Sequence, residues 1–183
     1  ADLDESIAYL RTLDYVDGSN IGMVGFCASG RAPILFAAAR SELKGIAVFH
    51  GGVYPRDYDP IYPGQGTVAD MIPKLSCPVF GVFGESDFLV PVGNVQRFRT
   101  ELELHRKSYR IKVFANTPHA WGVNDETGRY RPKEAEEAWQ LMTAFFDEVF
   151  NDKLDTGRVL WQFESDIAPD YDYEKVVRQS QGS

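Results

Sequence analysis

The chain has 183 residues, of which 44% are apolar, 13% aromatic and 25% charged, enough for one globular domain whose core needs neither disulfides nor a structural metal. Its 27 acidic and 19 basic residues leave a formal charge of −8 with no Lys/Arg run, which argues against a phosphate-backbone ligand, so nucleic acid is not an expected partner. The apolar stretches, such as residues 34–39, fall far short of the roughly 20 residues a spanning helix needs, and no signal-peptide pattern opens the chain, so no membrane contact and a cytoplasmic setting are expected.

In chain order, the pattern predicts an opening helix over residues 3–12, then a strand over 21–26 preceded by Gly18 and Asn20. A helix is expected over 30–40 and a second strand over 45–50. The insert 51–67 carries Pro55, Pro60, Pro63, Gly64 and Gly66 among Tyr54, Tyr58 and Tyr62, and reads as a long loop over the sheet's carboxyl edge, either a pocket wall or plain surface cover. A short helix over 68–74 leads to a third strand over 79–84, opened by Pro78. A helix over 92–105, a fourth strand over 111–115 and a helix over 133–150 after Pro132 complete the alternation. The strands are rich in Val, Ile and Phe without polar alternation, as in a sheet buried on both faces. The fold class is therefore α/β, a mostly parallel sheet with flanking helices and right-handed crossovers. Residues 1–150 read as the domain and 151–183 as an extension or docking arm. Within it, 158–165 alternates with Val159, Trp161 and Phe163 on one side, as an added strand would, and 178–183 reads as disordered.

Reactive groups in a parallel sheet gather outside the carboxyl ends of the strands, which singles out Cys27, His50, Asp87 and His119. Gly25-Phe26-Cys27-Ala28-Ser29-Gly30 has the small-x-nucleophile-x-small pattern of a nucleophile elbow. The following helix start would stabilise a thiolate, and the N–H of Ala28 would face a developing oxyanion. Taken alone, the hexapeptide equally describes a buried cysteine. A dinucleotide-binding turn is disfavoured, because Cys27 stands where a pyrophosphate needs glycine and the next strand ends in His50 rather than an acid. Asp87 by itself could be a loop cap, and a lone loop histidine such as His119 carries little weight. The conjunction carries more, because nucleophile, acid and base fall in that chain order at the same sheet edge. With only two cysteines, Cys27 and Cys77, neither a disulfide framework nor a paired-Cys metal site is indicated.

The residues Gly25-Phe26-Cys27-Ala28-Ser29-Gly30-Arg31, Gly84-Glu85-Ser86-Asp87 with Val90-Pro91, His119 followed by Trp121, and Arg129-Tyr130-Arg131-Pro132 before Ala135-Glu136-Glu137-Ala138-Trp139 resemble the dienelactone hydrolase family over roughly residues 3–150. The resemblance implies an α/β-hydrolase fold and a triad of Cys27, Asp87 and His119, acting on a small ester or lactone with no metal or organic cofactor. Ser29 stands where the family usually has glycine, and Ala120-Trp121 replaces the usual Gly-Phe, placing Trp121 in the pocket wall. The resemblance also implies strands ahead of residue 1 that supply the second oxyanion donor. Strand 21–26 would then be an edge, covered by a complementing polypeptide, by a second copy of the chain or by its own tail through Val159–Phe163. A non-catalytic α/β module, either a half that needs a complementing polypeptide or an inactive relative used for binding, is the rival reading, and a redox thiol protein is a weaker one. His50 and Tyr54 are expected to line the pocket, His105 to be solvated and Cys77 to be an inert core thiol at the far end of its strand.

Overall fold

The computed structural model describes residues 2–59, 62–123, 127–155 and 157–172. The expected disorder of 178–183 falls outside these described residues. Helix α1 (Asp2–Leu10) begins with Asp2, Asp4 and Glu5, acids that suit the positive end of a helix, and buries Ile7. Strand β1 (Gly22–Phe26) enters a 3₁₀ turn (Cys27–Gly30) that continues as α2 (Arg31–Ala39). Strand β2 (Gly45–Phe49) follows, then two one-turn helices, α3 (Pro55–Tyr58) and α4 (Val68–Met71), the latter extended by a 3₁₀ turn at Ile72–Lys74. Strand β3 (Val79–Gly84), α5 (Val92–Leu104), β4 (Tyr109–Phe114), α6 (Pro132–Phe150) and β5 (Trp161–Ser165) complete the order. The insert thus contains a helix, α3, that the loop reading did not foresee, and β4 starts two residues before its apolar run because Tyr109 pairs with Val79.

All five strands are parallel, in the spatial order β1-β2-β3-β4-β5. Side chains alternate between the two faces, as a strand's period of two requires. Ile46 and Val48 of β2, Val79 and Phe83 of β3 and Ile111 and Val113 of β4 join α2, α4 and α5 in one core. Ala47 and Phe49, Phe80 and Val82, and Phe114 join α6 in the other. Helix α6 is amphipathic at the helical spacing: Ala135, Ala138, Met142, Phe145 and Val149 face the sheet. Strand order advances one place at each crossover while α2, α4 and α5 lie on one face and α6 on the other. The β4-α6-β5 connection therefore has the opposite hand to the three before it, a departure from the uniform right-handedness expected.

The alternating segment of the tail is a strand. It pairs with β4, Tyr109 opposite Trp161, at the edge farthest from β1. The tail therefore does not cover β1, which corrects one of the three expected covers. Among the described residues β1 is an edge, with Phe26 at its end exposed. Past β5, Ile167 and Tyr171 pack on the core, and Ala168 N–H donates to the buried carboxylate of Glu85, which also accepts from Asn116 N–H. His105, expected in solvent, is half-buried with Nε2 3.9 Å from Glu101.

Candidate active site

The turn after β1 is built by close approach. A Cβ on Gly25 would lie 2.5 Å from the Ser29 carbonyl oxygen, and one on Gly30 would lie 2.8 Å from the Gly51 carbonyl carbon and the Gly52 nitrogen. Only residues without a side chain fit there. Ser29 contributes a staple of its own: its hydroxyl accepts from Phe26 N–H at 3.0 Å and donates to the Phe26 carbonyl at 2.7 Å. Cys27 sits at the apex with φ of 50°, and His50 and Ala120, the latter next to His119, also have positive φ, as do Asn116, Arg106 and Asp152 elsewhere. Left-handed, non-glycine backbone at Cys27, His50 and Ala120 is the signature of a conformation held by its surroundings.

Three elements converge on the apex. Cys27 Sγ lies 3.1 Å from His119 Nε2, and His119 Nδ1 lies 2.7 Å from Asp87 Oδ2. Asp87 is fully buried, and its other oxygen accepts from Leu89 and Val90 N–H at 2.9 and 3.0 Å, so the loop after β3 holds it in place. Cys27 is half-exposed at the floor of a groove of about 330 Å³ lined by Ala28, Tyr54, Arg56 and Phe88 among others.

The electrostatics follow from these contacts. Burial opposes ionisation of Cys27, but the hydrogen bonds from Tyr54 and His119, the Ala28 N–H and the His119 charge outweigh it and hold the thiol below its ordinary value. Burial likewise opposes the charged form of His119. The hydrogen bond and charge of Asp87, aided by Cys27, prevail and raise the imidazole above its ordinary value. Together the two shifts favour a thiolate beside an imidazolium. Cys77, at the amino end of its strand, is buried and pushed up to about 12, chiefly by burial.

Tyr54 plays a part that the sequence did not reveal. Its hydroxyl donates to Cys27 Sγ at 3.5 Å. Asp57 positions the residue from behind: one carboxylate oxygen accepts from Tyr54 N–H at 2.9 Å, and the other from Arg31 Nη1 at 2.9 Å. Arg31 also donates to the Gly66 carbonyl, so the elbow helix and the insert are tied together through two residues just behind the nucleophile. The sequence marks Tyr54 only as a pocket-lining residue of a proline- and tyrosine-rich insert, with nothing that pairs it with Cys27.

His50 is buried, its ring 5.0 Å centroid to centroid from His119, and neither ring nitrogen meets a partner among the described residues. Burial first, and then the His119 charge, lower its pKa to about 4, so it is neutral. Trp121 is fully buried and stacks on Phe49. With His50, Phe26, Val123 and Trp139 it lines a second, apolar cavity of about 320 Å³ beside the elbow.

A parallel sheet carrying a cysteine elbow after β1, a buried acid after β3 and a histidine after β4, all at its carboxyl edge, belongs to the α/β-hydrolase class. A model of the dienelactone hydrolase family matches residues 1–150, and the chain belongs to that family. A protein of Methylorubrum extorquens named "Putative carboxymethylenebutenolidase" is 26% identical over 146 residues, covering 80% of this chain and 49% of the relative. A protein of the same name from Escherichia coli K12 is 28% identical over 148 residues, covering 81% and 53%. The chain thus spans about half the length of the curated relatives it matches. A solved structure titled "Putative Dienelactone Hydrolase" from Klebsiella pneumoniae superimposes with a TM-score of 0.72 at 26% identity, over 81% of this chain and 60% of that one. The acylaminoacyl peptidase of Pyrococcus horikoshii shares the fold at 16% identity and a TM-score of 0.70. Among the described residues, no helix is long and apolar enough to cross a membrane.

Proposed function

We propose that the chain carries the nucleophilic half of a thiol hydrolase that cleaves a small ester or lactone through a thioester. The supporting observation is the unbroken relay from Cys27 Sγ to His119 Nε2 (3.1 Å) and from His119 Nδ1 to Asp87 (2.7 Å), with the acid anchored by two backbone N–H groups. The thiolate attacks the acyl carbon, and the carbonyl electron pair moves onto oxygen, where the Ala28 N–H donates to it. The tetrahedral intermediate collapses and expels the alkoxide, which takes the proton from His119. In a lactone that alcohol stays attached to the acyl group. His119 then takes a proton from water, hydroxide adds to the thioester, and the thiolate leaves with the carboxylic acid as product. Asp87 holds the imidazole in the tautomer that keeps Nε2 facing sulfur. The groove beside Tyr54 and Arg56 receives the acyl part, and the apolar cavity beside His50 and Trp121 forms the other wall.

Among the described residues β1 is an edge strand and Phe26 at its end is exposed, which favours a rival in which this chain is a half that needs a complementing polypeptide. Hydrolysis of a small activated ester, with Cys27→Ala, His119→Ala and Asp87→Asn, tests the proposal. Each variant should lose most of the rate, and double variants should lose little beyond the worst single one, since such residues act as a unit. A Cys27→Ala protein that keeps its rate refutes the assignment. A chain inactive alone but active after mixing with an N-terminal segment of a relative supports the rival.

A further inference from the structure

His50 has no part in the relay, yet both its nitrogens are buried and, among the described residues, without a hydrogen-bond partner, beside the two reactive atoms. An imidazole left in that state within reach of a thiol and a second imidazole lacks only an electrophile that accepts lone pairs. We propose that Cys27, His50 and His119 form a three-ligand site for Zn²⁺, its fourth position open to the groove.

The geometry carries the site. The Cys27 sulfur and one nitrogen from each histidine all lie within 4.8 Å of one another. With metal–sulfur bonds of about 2.3 Å and metal–nitrogen bonds of about 2.0 Å, tetrahedral ligands stand roughly 3.5 Å apart. The 3.1 Å between Sγ and Nε2 must widen by a few tenths of an ångström, and the ligand separations to His50, 4.8 Å at most, must close by up to about 1.3 Å, which asks for a turn of its ring. The donor set of one thiolate and two imidazoles suits a borderline-soft ion and excludes Mg²⁺ or Ca²⁺, which prefer oxygen. Asp87, hydrogen-bonded to His119 Nδ1, is the outer carboxylate that orients a metal-binding imidazole toward its ion. Three protein ligands leave the fourth position for water, and half-exposed Cys27 places it on the groove side.

Binding is a ligand exchange. The proton shared between Cys27 and His119 leaves to solvent, both histidines donate neutral lone pairs, and no electrons are transferred. Occupancy would also silence the relay, because the ion takes the lone pairs of both Sγ and Nε2. That consequence, and only that one, rests on the hydrolase reading above.

The test uses the unaltered chain titrated with Co²⁺ and Zn²⁺. One Co²⁺ per chain with a thiolate-to-metal charge-transfer band is expected, displaced by Zn²⁺ and absent in Cys27→Ser. His50→Gln should weaken binding at least tenfold, and Asp87→Asn roughly 10- to 100-fold. X-ray absorption on the unaltered zinc form should count one sulfur and two imidazoles, which keeps the test independent of how any variant folds. Absence of the band, its persistence in Cys27→Ser, unchanged affinity in His50→Gln, or a single imidazole in the absorption spectrum each overturns the site. Ester hydrolysis is assayed separately: metal ligation without any hydrolytic activity leaves the site standing and counts against the hydrolase, whereas activity without ligation does the reverse.

Discussion

Gly51 is the most sensitive point of the elbow, and Gly51→Ala tests how the nucleophile is held. A Cβ there would lie 1.9 Å from the Cys27 carbonyl oxygen, 2.8 Å from its carbonyl carbon and 3.1 Å from its Cα, whereas real Cβ contacts essentially never fall below 3.0 Å. The gap must open by more than 1 Å. Every atom in the way is backbone, so no side chain can rotate to make room. Overpacking of this kind costs about 1–3 kcal/mol, and the upper end applies because the displaced turn is clamped on its other side by Gly30 against Gly51 and Gly52. Moving a reacting group by 1 Å costs on the order of 100-fold in rate. Urea unfolding should therefore show a loss near 3 kcal/mol, and alkylation of Cys27 by iodoacetamide should slow at least tenfold. Gly93→Ala is the control: nothing lies within 4 Å of a Cβ there, and the residue sits in α5, so stability should be unchanged or rise by up to about 1 kcal/mol. If Gly51→Ala matches the unaltered protein in both unfolding midpoint and alkylation rate, the close contact does not hold the elbow.

Tyr54→Phe removes a hydrogen bond that favours the thiolate, so the midpoint of Cys27 alkylation against pH should move up; below about pH 8, where a free thiol is mostly protonated, the rate should fall, and an unchanged profile refutes the role of that hydroxyl. His50 should titrate by NMR with a midpoint of about 4 and so stay mostly neutral at about pH 5.5, where an ordinary histidine with a midpoint near 6.5 is mostly protonated. Because the unfolded chain takes up a proton there and the folded one does not, His50 contributes stability that falls as pH drops from about 6.5 to about 4; His119, with its raised pKa, contributes stability present at low pH and lost as pH rises through its folded value. His50→Phe should flatten the acid limb of the stability profile. Asp57→Ala leaves Arg31 and Tyr54 N–H without their partner and should cost about 1–3 kcal/mol while slowing Cys27 alkylation at neutral pH; a loss of stability with no change at Cys27 refutes the link from Asp57 through Tyr54 to the sulfur.

The amino-acid order by itself determined the parallel α/β class, most element boundaries and the placing of Cys27, Asp87 and His119 at one sheet edge, where the structure brings them together. These are local properties: Val- and Phe-rich runs punctuated by Gly and Pro end where their punctuation says, and a strand's carboxyl end is where a buried sheet delivers its loops. The hydrogen bond of Tyr54 to Cys27, the tie from Arg31 through Asp57, the edge-on approach of the His50 and His119 rings and the pairing of β5 with β4 rather than β1 were decided only by tertiary structure. None has a periodic or compositional mark, because each depends on how far one element is rotated and shifted against another. That placement is set by the packing of α2 and α5 on one face of the sheet and α6 on the other, a sum over many contacts between residues distant in sequence.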